Sequence, residues 1–333
     1  MSAFFTKIDI PLPDFAIDYR SKLLFLGSCF VENIGKKMRE LKFDTCINPF
    51  GVLYNPVSLA NSINLLLEKQ SFQKNDLSFY NELWFSYAHY TVFSDVDPDI
   101  CVELINERFT LAHDYIGNAD FVFITLGTSW MFKLKTTGQV VANCHKLPAT
   151  NFEREFSSVE NSFEQLKASI INLRKINPLV KFIFTVSPIR HFKDGAIENQ
   201  RSKAALILTI AKLQNECSGI YYFPAYEIFM DELRDYRFYA EDMIHPSEAA
   251  IDYIWDLFSA IFINDISRKL ATEIQKLNVA MNHRPRHLNT NSYKRFVETL
   301  TQKVETLSSH HPFLNFTQER EFLKHNELRL KNN

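Results

Sequence analysis

The sequence predicts an α/β fold, a doubly wound parallel sheet of five strands with helices on both faces. Three observations predict it. Five short, continuous apolar runs occur along the chain, as strands buried on both faces should. Longer segments of helical period lie between them, and this alternation is the signature of parallel strands joined by crossover helices. The 333 residues are 46% hydrophobic and 23% charged, enough apolar matter for a sizeable core.

Lys22–Leu26 is the first expected strand. In the helix after it, Val31, Ile34, Met38 and Leu41 share one face, while Lys36, Lys37, Arg39 and Glu40 turn elsewhere. The second strand is Asp44–Ile47, followed by a helix near Ser58–Leu67. Leu77–Ser94 interrupts the alternation with Phe79, Tyr80, Trp84, Phe85, Tyr87, Tyr90 and Phe93. It reads as an inserted hairpin (about 77–95), either a satellite core or a lid over a site. Asp97-Pro98 caps a helix towards Tyr115. The third strand is Phe121–Leu126, and Phe163, Leu166, Ile170 and Leu173 mark a helix before the fourth, Lys181–Val186. Ala204–Leu213 is helical before the fifth strand, Ile220–Phe223. Ile251, Ile254, Trp255, Phe258 and Ile261 form a last core helix, which Pro246 should open. Residues 1–265 thus make one domain, and 266–333 a polar, helical C-terminal extension packed on it or on a second copy.

The balance of 37 basic against 39 acidic residues gives no reason to expect nucleic acid. No apolar run reaches the ~18–20 residues that span a bilayer. The amino terminus lacks the basic, apolar and small-residue segments of a signal peptide, so the chain reads as soluble and cytoplasmic. Cys29, Cys46, Cys101, Cys144 and Cys217 are scattered, without a Cys-x-x-Cys, and His310-His311 has no ligand spacing around it. Eight glycines include no G-x-G-x-x-G or phosphate loop. Neither metal nor cofactor is expected.

In a sheet of order 2-1-3-4-5, the ligand crevice lies beyond the carboxyl ends of strands one and three. That nominates Gly27-Ser28-Cys29 and Gly127-Thr128-Ser129. Ser28 would stand at a helix N-terminus, where free amides can hold an oxyanion, although serine is also an ordinary N-cap. Cys29 is a rival nucleophile if its thiol is exposed and ionised. Asp242 and His245 are three apart, so a carboxylate could fix one ring nitrogen while the other takes a serine proton.

Taken together, a serine after the first strand and an Asp-x-x-His before the last core helix resemble the SGNH (GDSL-like) hydrolase superfamily. Phe25-Leu26-Gly27-Ser28-Cys29-Phe30-Val31-Glu32-Asn33 is similar to the signature of the GSCFA family, with valine in place of its final alanine. Asn48-Pro49-Phe50-Gly51, Tyr54-Asn55-Pro56, Thr125-Leu126-Gly127-Thr128, Asn143-Cys144-His145-Lys146, Ser187-Pro188-Ile189-Arg190-His191 and Arg234 through Ser247 extend the likeness over roughly residues 20–265.

The resemblance implies a three-layer α/β/α, SGNH/flavodoxin-like fold with Ser28 as nucleophile, His245 as base and Asp242 as its orienter. The superfamily's oxyanion-hole asparagine is missing, because Gly127-Thr128-Ser129-Trp130 replaces Gly-x-Asn-Asp. Losing such a donor costs ~10²–10³ in rate, so Asn48, Asn55 and Asn143 become candidates, the first two equally suited to turns. His145, Arg190 and His191 are candidate substrate-binding groups, Arg190 as a planar fork for a carboxylate or phosphate. Three functions follow as expectations: a serine-dependent hydrolase of small-molecule or carbohydrate acyl esters, an O-acyltransferase to a sugar hydroxyl, or a silent binding module that kept the fold.

Overall fold

The computed structural model describes residues 6–68, 71–283, 286 and 290–331. Strand β1 (Lys22–Gly27) runs into helix α1 (Cys29–Glu40), then β2 (Asp44–Ile47) and α2 (Pro56–Leu67). A hairpin of β3 (Ser78–Tyr80) and β4 (Leu83–Phe85) precedes α3 (Pro98–Ile116). After β5 (Phe121–Leu126) comes a second excursion, three antiparallel strands β6 (Trp130–Leu134), β7 (Val140–Val141) and β8 (Phe152–Phe156). The chain continues through α4 (Val159–Ile176), β9 (Lys181–Val186), α5 (Gly195–Glu216) and β10 (Ile220–Tyr222). A short α6 (Ala225–Glu227) passes into the π-helical turn Ile228–Glu232. Helices α7 (Glu248–Phe262), α8 (Asp265–Asn282), α9 (Asn291–His310) and α10 (Thr317–Lys331) follow.

The main sheet has the order β10-β9-β5-β1-β2 with every pair parallel, the doubly wound arrangement the sequence predicts. Alternation along each strand sends Leu23, Phe25, Phe121 and Phe123 to the face covered by α1 and α7. Leu24, Leu26, Val122 and Ile124 go to the face covered by α2 to α5. Phe25 stacks on Phe123 across β1 and β5, ring centroids 4.5 Å apart. Truncating such a buried phenylalanine to alanine typically costs ~3–5 kcal/mol. Because β1 and β5 are neighbours, with Gly27 opposite Thr125, their carboxyl ends open on one crevice.

Helix starts follow their capping residues. The side chains of Asp97 and Asn55 accept amide hydrogens in the first turns of α3 and α2, each followed by proline. Pro246, expected to open the last core helix, lies outside it in a bridge with Tyr239. Ser247 is the N-cap of α7, its hydroxyl accepting from the Ala250 amide. A proline paired as a bridge cannot also begin the helix, and the serine beside it supplies the missing acceptor. The β3–β4 hairpin turns at Asn81-Glu82, both left-handed as two-residue hairpins require. Phe93, Cys101 and Ile105 form a satellite core with Phe72, Leu77 and Trp84.

Helices α8 to α10 bring Leu270, Ile274, Leu277, Val304 and Leu323 into the same core as α1 and α7. Lys42 pins them down, its ammonium 2.7 Å from Glu319 and 2.7 Å from the Asn315 carbonyl. No helix among the described residues is long and apolar enough to cross a membrane.

Candidate active site

β1 ends on Gly27, whose φ of 136° suits glycine; a Cβ there would stand 2.3 Å from the Thr125 carbonyl oxygen. The turn is clamped from below. The Gly27 amide donates to Asn48 Oδ1 at 2.9 Å, and Asn48 Nδ2 donates to Glu32 at 3.2 Å. Both ends of the Asn48 amide are therefore occupied, and its role is to hold the turn.

Ser28 takes the N-cap position of α1, but its hydroxyl makes no capping bond. Oγ is fully buried, and no protein group is within hydrogen-bonding reach of it. The adjacent Cys29 thiol is partly exposed on the cleft wall. Burial raises its pKa, so it stays protonated near neutral pH.

Asp242 Oδ1 accepts the amides of Ile244 and His245, both at 2.9 Å, and Oδ2 lies 2.5 Å from His245 Nδ1. The two amides, then the imidazole, pull the Asp242 pKa down to about 2. His245 is thus tethered through backbone and ring, with both side chains about half exposed. The loop is braced from the end of β9. Arg190 donates to the Met243 carbonyl at 2.6 Å, and its guanidinium lies over the rings of Tyr239 and Phe192. Arg190 thus gives one terminal nitrogen to the loop while it also lines the cleft, its Nε without a protein partner.

These segments meet at one cleft of ≈ 700 Å³. Cys29, Tyr54, Thr128, His191 and His245 line it together with Trp130, Phe132, Asn143, Phe152 and Arg154. Ser28 itself lies beneath the wall that Cys29 forms, and its Oγ is not hydrogen-bonded to His245.

The Gly127 and Thr128 amides both donate to the Tyr54 carbonyl, at 2.8 and 3.0 Å, so neither is free for substrate. Thr128 Oγ1 pairs with the Ser202 hydroxyl at 3.1 Å. Beneath them Lys203, only 1% exposed, donates to the carbonyls of Gly127 (2.8 Å) and Ser187 (2.7 Å), tying the ends of β5 and β9 together. Burial pulls its pKa down to about 7. His191 lines the cleft edge-on to Tyr54, and its buried Nε2 has no partner. Burial, reinforced by Lys203 and His245, lowers its pKa to about 4, so it is neutral at pH 7.

Asn55 lies on the wall but caps α2, accepting the Ser58 amide at 2.8 Å and donating to the Ser58 hydroxyl at 3.0 Å. Asn143 accepts the His145 amide and donates to the Thr91 hydroxyl, its side chain on the cleft wall. His145 does not line the cleft. Its ring stacks on Phe85 and Nε2 lies 3.0 Å from the Ser86 carbonyl, inside the insert. From the insert only Tyr90 and Thr91 reach the cleft wall.

Sequence reasoning missed Lys203, Tyr54 and the wall built by β6 to β8. Lys203 had no local signal, being one lysine in a helical stretch. For β6 the only signal is short, the mixed stretch Trp130-Met131-Phe132-Lys133-Leu134 running into the turn residues Thr136-Thr137-Gly138. Among the described residues, no group of three or more His, Cys, Asp or Glu could hold a metal.

Doubly wound topology makes this an α/β protein with a five-stranded parallel sheet flanked by helices. More narrowly, the chain belongs to the GSCFA family, whose model matches residues 22–258; a second model, GSCFA domain protein, C-terminal domain, matches residues 274–327. No curated protein matches the chain. Among solved structures it is similar to the crystal structure of a carbohydrate esterase family 3 from Talaromyces cellulolyticus. That match is 10% identical, covers 77% of this chain and 99% of the other, and has a TM-score of 0.37.

Proposed function

We propose that the chain is a serine-dependent acyl-ester hydrolase of the SGNH type, acting on small-molecule or carbohydrate esters through an acyl-enzyme. One observation carries the reading. An imidazole oriented by a carboxylate shares a cleft with the turn that bears Ser28, and the Ser28 hydroxyl is committed to no other partner. In this mechanism Ser28 Oγ, buried and unbonded in the free protein, turns into the cleft and attacks the ester carbonyl as its proton passes to His245 Nε2. The tetrahedral intermediate collapses when His245 returns that proton to the leaving alcohol. Water then repeats the sequence on the acyl-enzyme. Asp242 keeps the Nδ1 proton in place and stabilises the imidazolium.

The oxyanion needs donors that the Gly127 and Thr128 amides cannot supply. Amides of the first turn of α1 face that position by their place in the helix. Neutral His191 offers an Nε2 proton in place of the missing asparagine.

Ser28→Ala tests the reading on short acyl esters, alongside labelling of the wild type with a fluorophosphonate. Loss of turnover with labelling at Ser28 is expected. Unchanged turnover, or no labelling of a folded protein, removes Ser28 from the chemistry. Product analysis with a sugar acceptor present separates hydrolysis from acyl transfer, since both pass through the same acyl-enzyme.

A further inference from the structure

We infer that the substrate carries a negative charge, received at the cleft wall that Lys146 and Lys193 share, Lys193 standing over Phe132. The inference rests on the ester-hydrolase reading and names its substrate class. Over the whole sequence acids outnumber bases, 39 to 37. The cleft wall reverses this, with Lys146, Arg154, Arg190 and Lys193 against one carboxylate, Asp194.

Two of the four cations are already engaged. Arg154 clamps Asp194 through both of its terminal nitrogens, which uses up that carboxylate. Arg190 braces the Met243 carbonyl. Lys146 and Lys193 are left, and neither forms an ion pair among the described residues. Lys193 Nζ lies 5.2 Å from the centre of the Phe132 ring, and the Arg154 guanidinium lies 5.2 Å from the same ring and 5.1 Å from Trp130. Positive charge is thus gathered over aromatic faces. The nearby Cys144 thiol feels both Lys193 and Arg154, which oppose the rise that burial causes.

Both lysines are exposed, so a neutral ester bound here would gain nothing from their ammonium groups. An ester with a remote carboxylate or phosphate would lay its apolar part on Trp130 and Phe132 and its charge on the lysines. A cleft of ≈ 700 Å³ has room for such a molecule. The anion can belong to the acyl or the alcohol portion, and two pairs of hydrolysis-resistant amides distinguish them.

N-methylsuccinamate against N-methylpropionamide places the charge on the acyl side. N-acetylglucosamine 6-phosphate against N-acetylglucosamine places it on the alcohol side. Isothermal titration of the full chain should show the charged member of at least one pair binding about tenfold tighter. The preference should shrink as salt rises, and vanish in Lys146→Glu/Lys193→Glu and in the charge-neutral Lys146→Gln/Lys193→Gln. Equal binding within each pair overturns the inference, as does a preference that survives both variants or no binding of either charged ligand at millimolar concentration. Fluorophosphonate labelling of the same preparations keeps the two readings apart. Labelling at Ser28 without charge preference overturns only the anion site, whereas preference without labelling leaves the site standing and removes the hydrolase.

Discussion

Lys203→Met should change how stability depends on pH, by an amount the structure sets. Lys203 is buried with its ammonium on the carbonyls of Gly127 and Ser187, and its pKa falls from 10.5 to about 7 on folding. Between those values the unfolded chain holds a proton that the native protein has released, so wild-type stability rises with pH across the window. The limiting slope is about 1.4 kcal/mol per pH unit. At pH 7 the native lysine is half protonated, which reduces the gain from pH 7 to pH 9 to about 2 kcal/mol. Methionine does not titrate, and groups common to both proteins cancel in the difference. Urea unfolding at the two pH values should therefore show wild type gaining about 2 kcal/mol on the variant. The absolute offset is a separate quantity. The variant escapes burial of a charge but leaves two carbonyls without a donor, at ~1–3 kcal/mol each. Parallel pH dependences in the two proteins would refute the reasoning, whichever is the more stable.

Three further changes test the site. Gly27→Ala puts a Cβ against the Thr125 backbone, which cannot swing aside as a side chain could. A loss of about 3 kcal/mol or more in urea unfolding is expected, and a loss under about 1 kcal/mol would mean the turn is not clamped as described. Asp242→Asn removes the acceptor that holds the His245 Nδ1 proton, and should lower kcat for ester hydrolysis by about 10³-fold or more with little change in Tm; an unchanged kcat counts against the dyad. His191→Ala should lower kcat by about 10²–10³ with KM nearly constant, and His191→Asn should restore part of it, whereas a change confined to KM would make His191 a binding group only.

How much could be read in advance depended on whether a signal was local. Phe121–Leu126 and Lys181–Val186 are buried along almost their whole length, so continuous apolar runs marked both strands and their bounds. Asp242 and His245 needed only a spacing of three, and the hydrogen bond forms within that loop. Among the polar side chains, what the sequence hides is a partner remote in the chain. Asn48 was a candidate oxyanion donor until its amide met Gly27 on one side and Glu32 on the other. Arg190 was a substrate fork until its guanidinium met a carbonyl 53 residues away. Lys203 carries its significance wholly in two carbonyls at the ends of different strands. The sheet of β6 to β8 failed differently: its residues are half-buried and mixed in polarity, so no continuous apolar run announced them.

The Ser28 hydroxyl is where a reactive and a merely structural serine part company. A structural serine at an N-cap turns its oxygen onto the second or third amide of the helix, a bond whose loss typically costs ~0.5–2 kcal/mol. Ser247, Ser158 and Asn264 do this at the starts of α7, α4 and α8. Ser28 does not, although its φ of −69° and ψ of 170° nearly match the −67° and 164° of Ser247. The backbone therefore permits the cap, and the side chain is directed elsewhere. Nor is the turn a loose one, since Gly27 is packed against Thr125 and tied through Asn48 to Glu32. A rigid turn that buries a hydroxyl without a protein partner costs stability, ~1–3 kcal/mol for a buried unsatisfied group. Packing returns little for that cost, because alanine would give up only the contacts of one oxygen and leave no polar group to satisfy. The proposed mechanism gives the free oxygen a use: a hydroxyl already engaged as a cap would have to break that bond before its lone pair could reach a carbonyl carbon. On this reasoning Ser28→Ala should leave the protein folded and slightly more stable while ending ester turnover, a pairing of outcomes that a structural serine would reverse.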